Sequence, residues 1–289
     1  MNWYTPYLET YERPLEDVRP EIFEQIRSRV ASLQSSTPLV TVSVIAYNEE
    51  RHLLSCLWSL SEMQCPFPVE IIGVDNDSHD RTAEIFRRCG IPFYTEKQHS
   101  CGHARLCGLQ HARGKYHLNI DSDTMYPPHY VELMVRSLTR PGVVGVSSLW
   151  SYIPDAQHSR LSLALYEGCR DLYLWAQHFK RPELSVRGLV FGYPTDLGLR
   201  IGIRTDIIRG EDGSLALGLK QYGRIHFLRS RKARAVTGYG TVSADGSFFR
   251  SFWNRVTYRL GRMGSLFTRK EHYEDEDSNL VKDRSSQTK

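Results

Sequence analysis

The stretch Leu39-Val40-Thr41-Val42-Ser43-Val44-Ile45-Ala46-Tyr47, running into Asn48-Glu49-Glu50, decides the fold. It is a near-continuous apolar, β-branched run, the pattern of a strand buried on both faces. Working outward, the chain repeats strand and helix. Asn48 reads as the N-cap of a helix to about Met63. Strands follow at 70–75, 91–95, 116–121 and 142–150, and helices at 79–90, 102–112 and 127–138. Upstream, 14–33 reads as an amphipathic helix with Ile22, Ile26 and Val30 at helical spacing, and 35–38 breaks it. Such alternation predicts an α/β fold, an open, mostly parallel Rossmann-like sheet with helices on both faces. Ligands of such sheets bind beyond the C-terminal strand ends. That rule directs attention to 46–49, 75–78 and 121–123.

The second half is less regular. Residues 159–179 read as a long helix, 188–203 as a mixture of glycine, proline and short apolar pieces, 212–222 as a helix and 225–229 as a strand. The glycine-rich 237–247 reads as a mobile loop, and 248–263 as a strongly patterned helix. The organisation expected is an N-terminal helical appendage (1–37), a catalytic domain (38–235), a loop with a C-terminal amphipathic helix (236–270) and a polar, disordered tail (271–289).

With 289 residues, 40% of them hydrophobic, the chain can bury one substantial core plus short appendages. A net charge of +4 is mild and argues against a nucleic-acid binder, which carries a dense basic face. Cys56, Cys65, Cys89, Cys101, Cys107 and Cys169 form no C-x-x-C pair, and their sparse spacing suits a reducing compartment. No basic start followed by an apolar stretch marks a signal peptide, and no window approaches a membrane span. The expectation is a cytoplasmic protein.

Asp121-Ser122-Asp123 directly follows the strand at 116–120. Two carboxylates one residue apart at a strand end can project into one cleft. Their hard oxygens suit Mg²⁺ or Mn²⁺, which completes its shell with substrate phosphates and water. The plainer reading is an acidic turn. Asp75-Asn76-Asp77-Ser78 closes another strand with side-chain acceptors suited to a base N–H or ribose hydroxyl, or to capping the next helix. At Ala46-Tyr47-Asn48-Glu49 a small residue and an aromatic could meet a nucleotide base. Gly210-Glu211-Asp212 opens a helix, whose dipole stabilises a carboxylate as the anion. Such an anion can take a proton from an acceptor hydroxyl. A first-turn cap is again the plainer reading.

In order and spacing these four pieces, with Gly102-His103-Ala104-Arg105-Leu106-Cys107-Gly108-Leu109-Gln110-His111-Ala112-Arg113-Gly114-Lys115-Tyr116 between them, resemble the family 2 glycosyltransferases of GT-A fold over roughly 39–230. The resemblance implies transfer of a single sugar from a nucleotide-diphosphate donor to an acceptor hydroxyl with inversion, in polysaccharide or glycolipid biosynthesis. It implies that Ala46, Tyr47 and Glu49 line the base and ribose pocket, with Asp75, Asn76 and Ser122 in the same nucleotide-sugar site. Asp121 would hold the ribose or metal, and Asp123 would be the principal ligand of Mn²⁺ or Mg²⁺. Asp212 would be the catalytic base, with Glu211 near the acceptor. Departures are Ile45 for a frequent proline, Asn76 for a second aspartate, and Leu106 for an asparagine, which weakens a role for Arg105. No Q-x-x-R-W stretch of the processive synthases is present.

The expected partners are a nucleotide-sugar donor and a carbohydrate or lipid-linked acceptor, without nucleic acid. The 248–263 helix carries Arg255, Arg259 and Arg262 beside an apolar stripe of Phe249, Trp253, Val256, Leu260 and Met263. It could contact an anionic membrane peripherally, or pack on its own domain. The 229–234 basic run could hold a diphosphate or form a solvated strand edge. His226 stays outside the expected site. Two alternatives remain at this point. A sugar-nucleotide nucleotidyltransferase would usually carry a basic, Gly-rich loop where 47–50 is acidic, and a non-catalytic glycosyltransferase-like scaffold subunit would not need Asp121, Asp123 and Asp212.

Overall fold

The computed structural model describes residues 2–155, 159–207 and 210–238. The expected 237–247 loop (beyond 238), the 248–263 helix and the 271–289 tail lie outside the described residues.

The strands are β1 (Val40–Ala46), β2 (Val69–Asp75), β3 (Phe93–Thr95), β4 (Tyr116–Asp121), β5 (Thr124–Met125), β6 (Val143–Ser148), β7 (Trp150–Tyr152), β8 (Phe191–Pro194), β9 (Arg224–Leu228) and β10 (Ala235–Thr237). The helices are α1 (Pro20–Leu33), α2 (Leu53–Ser61), α3 (Thr82–Arg88), α4 (Cys101–His111), α5 (Tyr130–Leu138), α6 (Arg160–His178), α7 (Thr195–Ile201) and α8 (Glu211–Leu219). A seven-stranded sheet runs β3-β2-β1-β4-β8-β6-β9. Only β8 is antiparallel to its neighbours. Every residue of β2, and all but Ile45 of β1, is buried, as the unbroken apolar run requires of a strand covered on both faces. α4 lies so close to β1 that a Cβ on Gly108 would overlap the Ser43 hydroxyl. A side chain there would push the helix off the sheet.

Three expectations shift. The helix read from 14 begins at Pro20. Proline pre-sets a helical φ at the first position and holds the preceding residue, Arg19, extended, while Leu15–Asp17 makes only a 3₁₀ turn. Asn48 does not cap α2, which starts at Leu53 without a side-chain cap. Asn48 sits in the left-handed region at φ 53, and its Oδ1 accepts from the His79 N–H at 2.8 Å. The strand read at 142–150 is two strands in different sheets. β6 stays in the large sheet, and β7 joins β5 and β10 in a second, three-stranded sheet ordered β5-β10-β7.

The segment expected as an N-terminal appendage contributes Tyr7, Leu15, Ile22, Phe23, Ile26 and Val30 to the same core as β1 and β2. Each such apolar side chain contributes about 1.5–3 kcal/mol on burial. Among the described residues, no helix is long and apolar enough to cross a membrane.

Candidate active site

β2 and β3 lie to one side of β1, and β4 lies to the other. The strand order therefore reverses between β1 and β4, and a crevice opens beyond their C-terminal ends. Asp121 is level with Ile45, and Asp75 with Ala46. Registry alone thus brings the ends of three expected site segments within neighbouring-strand distance, about 5 Å per strand.

The loops after β1 and β2 are laced together. The Asn48 and Glu49 N–H groups donate to Ser78 Oγ and Thr82 Oγ1 at 2.9 and 2.8 Å. The Glu50 N–H donates to Asp80 Oδ2 at 3.0 Å. Asn76, 5% exposed, spends its amide N–H groups on the Glu96 and Gln98 carbonyls at 2.8 Å each. Its amide group therefore fastens the segment after β3, and its side-chain oxygen is what remains for a ligand. Asp75 Oδ1 accepts from the Ser78 N–H at 3.3 Å. Tyr47 is exposed, its ring edge-on to His99 at 5.2 Å, and Ala46 is buried at its base. The Glu49 carboxylate contacts His52 Nδ1 at 2.7 Å.

Asp121, Glu211 and Asp212 converge on one cation. Arg105 of α4, 3% exposed, donates from Nη2 to Asp121 Oδ1 at 2.9 Å, and its Nε lies 3.5 Å from both Glu211 Oε1 and Asp212 Oδ1. Glu211 and Asp212 occupy the first turn of α8, where the helix dipole favours an anion. Asn119 of β4 donates to Asp212 Oδ1 at 3.3 Å and accepts from the Tyr193 hydroxyl at 3.2 Å. Burial raises the Asp212 carboxyl to about 7. Arg105 opposes that rise, the Glu211 and Asp121 charges add to it, and Arg187 opposes it. A carboxyl near 7 is matched to proton transfer at neutral pH. Gly188 leaves room for this pairing, since a Cβ there would overlap both Arg105 Nη2 and Asp212 Oδ2.

Asp123, two residues past Asp121, feels the charge of Asp121 and Glu49. Its Oδ1 accepts from Thr124 Oγ1 at 2.9 Å. Burial, then the Asp121 and Glu49 charges, raise its carboxyl to about 7, against the Thr124 hydrogen bond and His52. Ser122 between the two aspartates is buried. Among the described residues, no three Asp, Glu, His or Cys side chains gather closely enough to hold a metal ion by themselves. The donors present nevertheless suit a hard divalent cation. Asp123 and Asp121 offer carboxylate oxygens, and the raised Asp123 carboxyl marks negative charge that positive charge would relieve. Such a cation normally takes the rest of its shell from phosphates and water.

Sequence reading missed Arg105, Asn119, Tyr193 and Gly188. The signal available for Arg105 was its place in the 102–116 stretch, discounted because of Leu106. Nothing local marks the other three, which matter through contacts made across the fold. His226 on β9 neighbours Arg140 at 3.5 Å and stacks no part of this cluster. In the 229–234 run, Arg234 pairs with Asp171 and Glu167 of α6, so it fastens α6.

The sequence profile described as glycosyl transferase family 2 matches residues 41–189, half of the chain. The chain belongs to glycosyl transferase family 2. It is 34% identical over 175 residues to EpsH of Bacillus subtilis (strain 168), a glycosyltransferase by name, covering 54% of this chain and 51% of EpsH. It is 30% identical over 125 residues to the 4,4'-diaponeurosporenoate glycosyltransferase of Staphylococcus haemolyticus (strain JCSC1435), covering 40% and 33%. The matches thus span about half and about a third of these relatives' lengths. Among solved structures, the Pyrobaculum calidifontis mannosyltransferase in complex with GDP-Man and Mn²⁺ superposes with TM-score 0.54 at 21% identity, over 81% of this chain and 63% of that one. S. aureus TarS 1-349 in complex with UDP gives 0.53 at 18% identity, over 69% and 60%. These establish the GT-A fold, with its mostly parallel central sheet flanked by helices.

Proposed function

We propose that this protein transfers a single sugar from a nucleotide-diphosphate donor to an acceptor hydroxyl with inversion, in polysaccharide or glycolipid biosynthesis. The observation that carries the reading is Asp212, a largely buried carboxyl raised to about 7 and tied through Arg105 to Asp121 at the strand-order reversal. The nucleotides seen with the Pyrobaculum and TarS proteins support a nucleoside-diphosphate donor here.

In this reading Ala46, Tyr47, Glu49, Asp75, Asn76, Asp121 and Ser122 surround the nucleotide. Mn²⁺ or Mg²⁺, held by Asp123 and Asp121, supplies positive charge to the diphosphate when bound. Asp212 takes the proton of the acceptor hydroxyl. The freed oxygen attacks the anomeric carbon as the bond to the diphosphate oxygen breaks and that oxygen leaves with the electron pair. Attack opposite the leaving group inverts the configuration. Arg105 keeps part of the Asp212 population ionised at neutral pH, Asn119 fixes the orientation of its Oδ1, and Glu211 lies beside the acceptor.

The test is Asp212→Asn assayed against a panel of nucleotide sugars with Mn²⁺. Calorimetry should show nucleoside-diphosphate binding retained, with transfer reduced about 10²–10⁴-fold, the usual worth of a general base. Undiminished turnover removes Asp212 from the role. Wild-type protein that releases no nucleoside diphosphate from any donor or acceptor would instead favour a non-catalytic subunit.

A further inference from the structure

α6 turns a broad apolar face outward. Leu161, Leu165, Leu172, Trp175 and Phe179, with small residues at 164, 168, 169 and 176 between them, fall within an arc of about 140° at about 100° per residue. No charged residue lies in that arc. Leu161 is 81% exposed, Leu165 63%, Leu172 60% and Phe179 68%. The opposite face is already used, with Leu163, Arg170, Leu174 and Gln177 buried. An apolar strip of this extent, left open on a folded domain, marks a contact with another macromolecule or a membrane.

Charge decides between those occupants. Exposed cations border the face along its length. Arg160 and Arg231 line one cleft with Ala164 and Gly168 beside the N-terminal half of the helix. The Arg229 guanidinium lies over the Trp175 ring, 5.5 Å from its centre. Lys180 and Arg181 follow directly after Phe179, Arg181 paired with Glu183. The two acids of the helix, Glu167 and Asp171, fall outside the arc, have side chains only 13% exposed, and pair with Arg234. A second copy would bring the same face and the same cations. An anionic bilayer instead offers acyl chains to the leucines and phosphates to the cations, and a tryptophan under an arginine suits the headgroup level. We propose that α6 lies in the plane of an anionic lipid bilayer, apolar face inward, and holds the domain at the membrane surface. The anchor is joined to the catalytic crevice. Glu167 accepts from the Tyr152 N–H of β7, and β7 lies beside β10 and β10 beside β5, the strand that directly follows Asp123. Two strand spacings, about 10 Å, separate β7 from β5.

Vesicle flotation of the full chain tests the docking. It needs neither donor nor acceptor, so its outcome is separate from that of the transfer reading. The protein should float with mixed phosphatidylglycerol and phosphatidylcholine vesicles and not with phosphatidylcholine alone. Leu165→Asp/Leu172→Asp should cut the partition coefficient about tenfold or more. Arg229→Gln/Arg231→Gln should cut it about 25-fold, at about fivefold per basic residue. Brominated lipids should quench the tryptophan emission of the wild type more than that of Trp175→Phe, a mild change that serves if the leucine variant unfolds. A wild type that does not float overturns the proposal. Flotation and quenching untouched by these variants overturn it too, and give the lipid contact to another part of the chain. Equal flotation on phosphatidylcholine alone overturns the role of the cations, and with it the choice of occupant. A dimer mass by light scattering that Leu165→Asp/Leu172→Asp reduces to a monomer, without flotation, overturns it in favour of a second copy.

Discussion

Replacing Arg105 by methionine roughly keeps the side chain's volume and removes the cation that lies within 3.5 Å of both Asp121 and Asp212. At 3.5 Å and an effective dielectric near 20, Coulomb's law gives about 5 kcal/mol between unit charges, and arginine neighbours typically lower an aspartate by about 1–3 units. The Asp212 carboxyl, already at about 7, should therefore move to about 8–10. The ionised fraction at pH 7 then falls from about half to between about a tenth and a thousandth. kcat/KM at pH 7 should drop about 5- to 500-fold, and its acid limb should move alkaline by about 1–3 units. The assay is kcat/KM against pH with a saturating metal concentration. Stability supplies a second readout. A carboxyl raised in the fold adds stability that is full below its unfolded value and is lost as pH climbs through its folded value. The Tm deficit of Arg105→Met should thus widen from pH 5 to pH 9, towards the roughly 3–5 kcal/mol of a broken buried pair. A folded variant whose acid limb stays in place would refute the account of Asp212 as a base tuned by Arg105.

Gly188→Ala should push Arg105 and Asp212 apart, costing about 1–3 kcal/mol of stability by overpacking and about 10²-fold in transfer; wild-type kinetics from a folded variant would contradict the close fit. Asp123→Asn should reduce nucleoside-diphosphate affinity in Mn²⁺ to its metal-free level, checked by calorimetry. Because Asp123 holds its proton up to about 7, Mn²⁺ uptake by the wild type at pH 6 should release protons, and release should vanish by pH 9; binding heats that do not depend on buffer ionisation at pH 6 would oppose this. Ile26→Ala should cost about 2–5 kcal/mol, read as a lower denaturation midpoint, because α1 belongs to the main core.

The sequence by itself determined the layered plan. An unbroken β-branched run at 39–47, followed by strand and helix in alternation, leaves little but a two-face-buried parallel sheet, and the C-terminal strand ends then name the crevice. It also supplied the acids at 121, 123, 211 and 212, because they stand at strand ends and a helix start, where local pattern and chemistry coincide. Tertiary structure decided what those acids pair with. Arg105 enters from a helix in mid-chain, Asn119 from within a strand and Gly188 from an irregular connection, and no local periodicity encodes a meeting across 16 to 107 residues. Asn48 shows the same limit. In sequence it is an ordinary helix cap, but in the fold its left-handed backbone and side chain tie two loops together, because the partner that settles its conformation, His79, is brought alongside only by the pairing of β1 with β2.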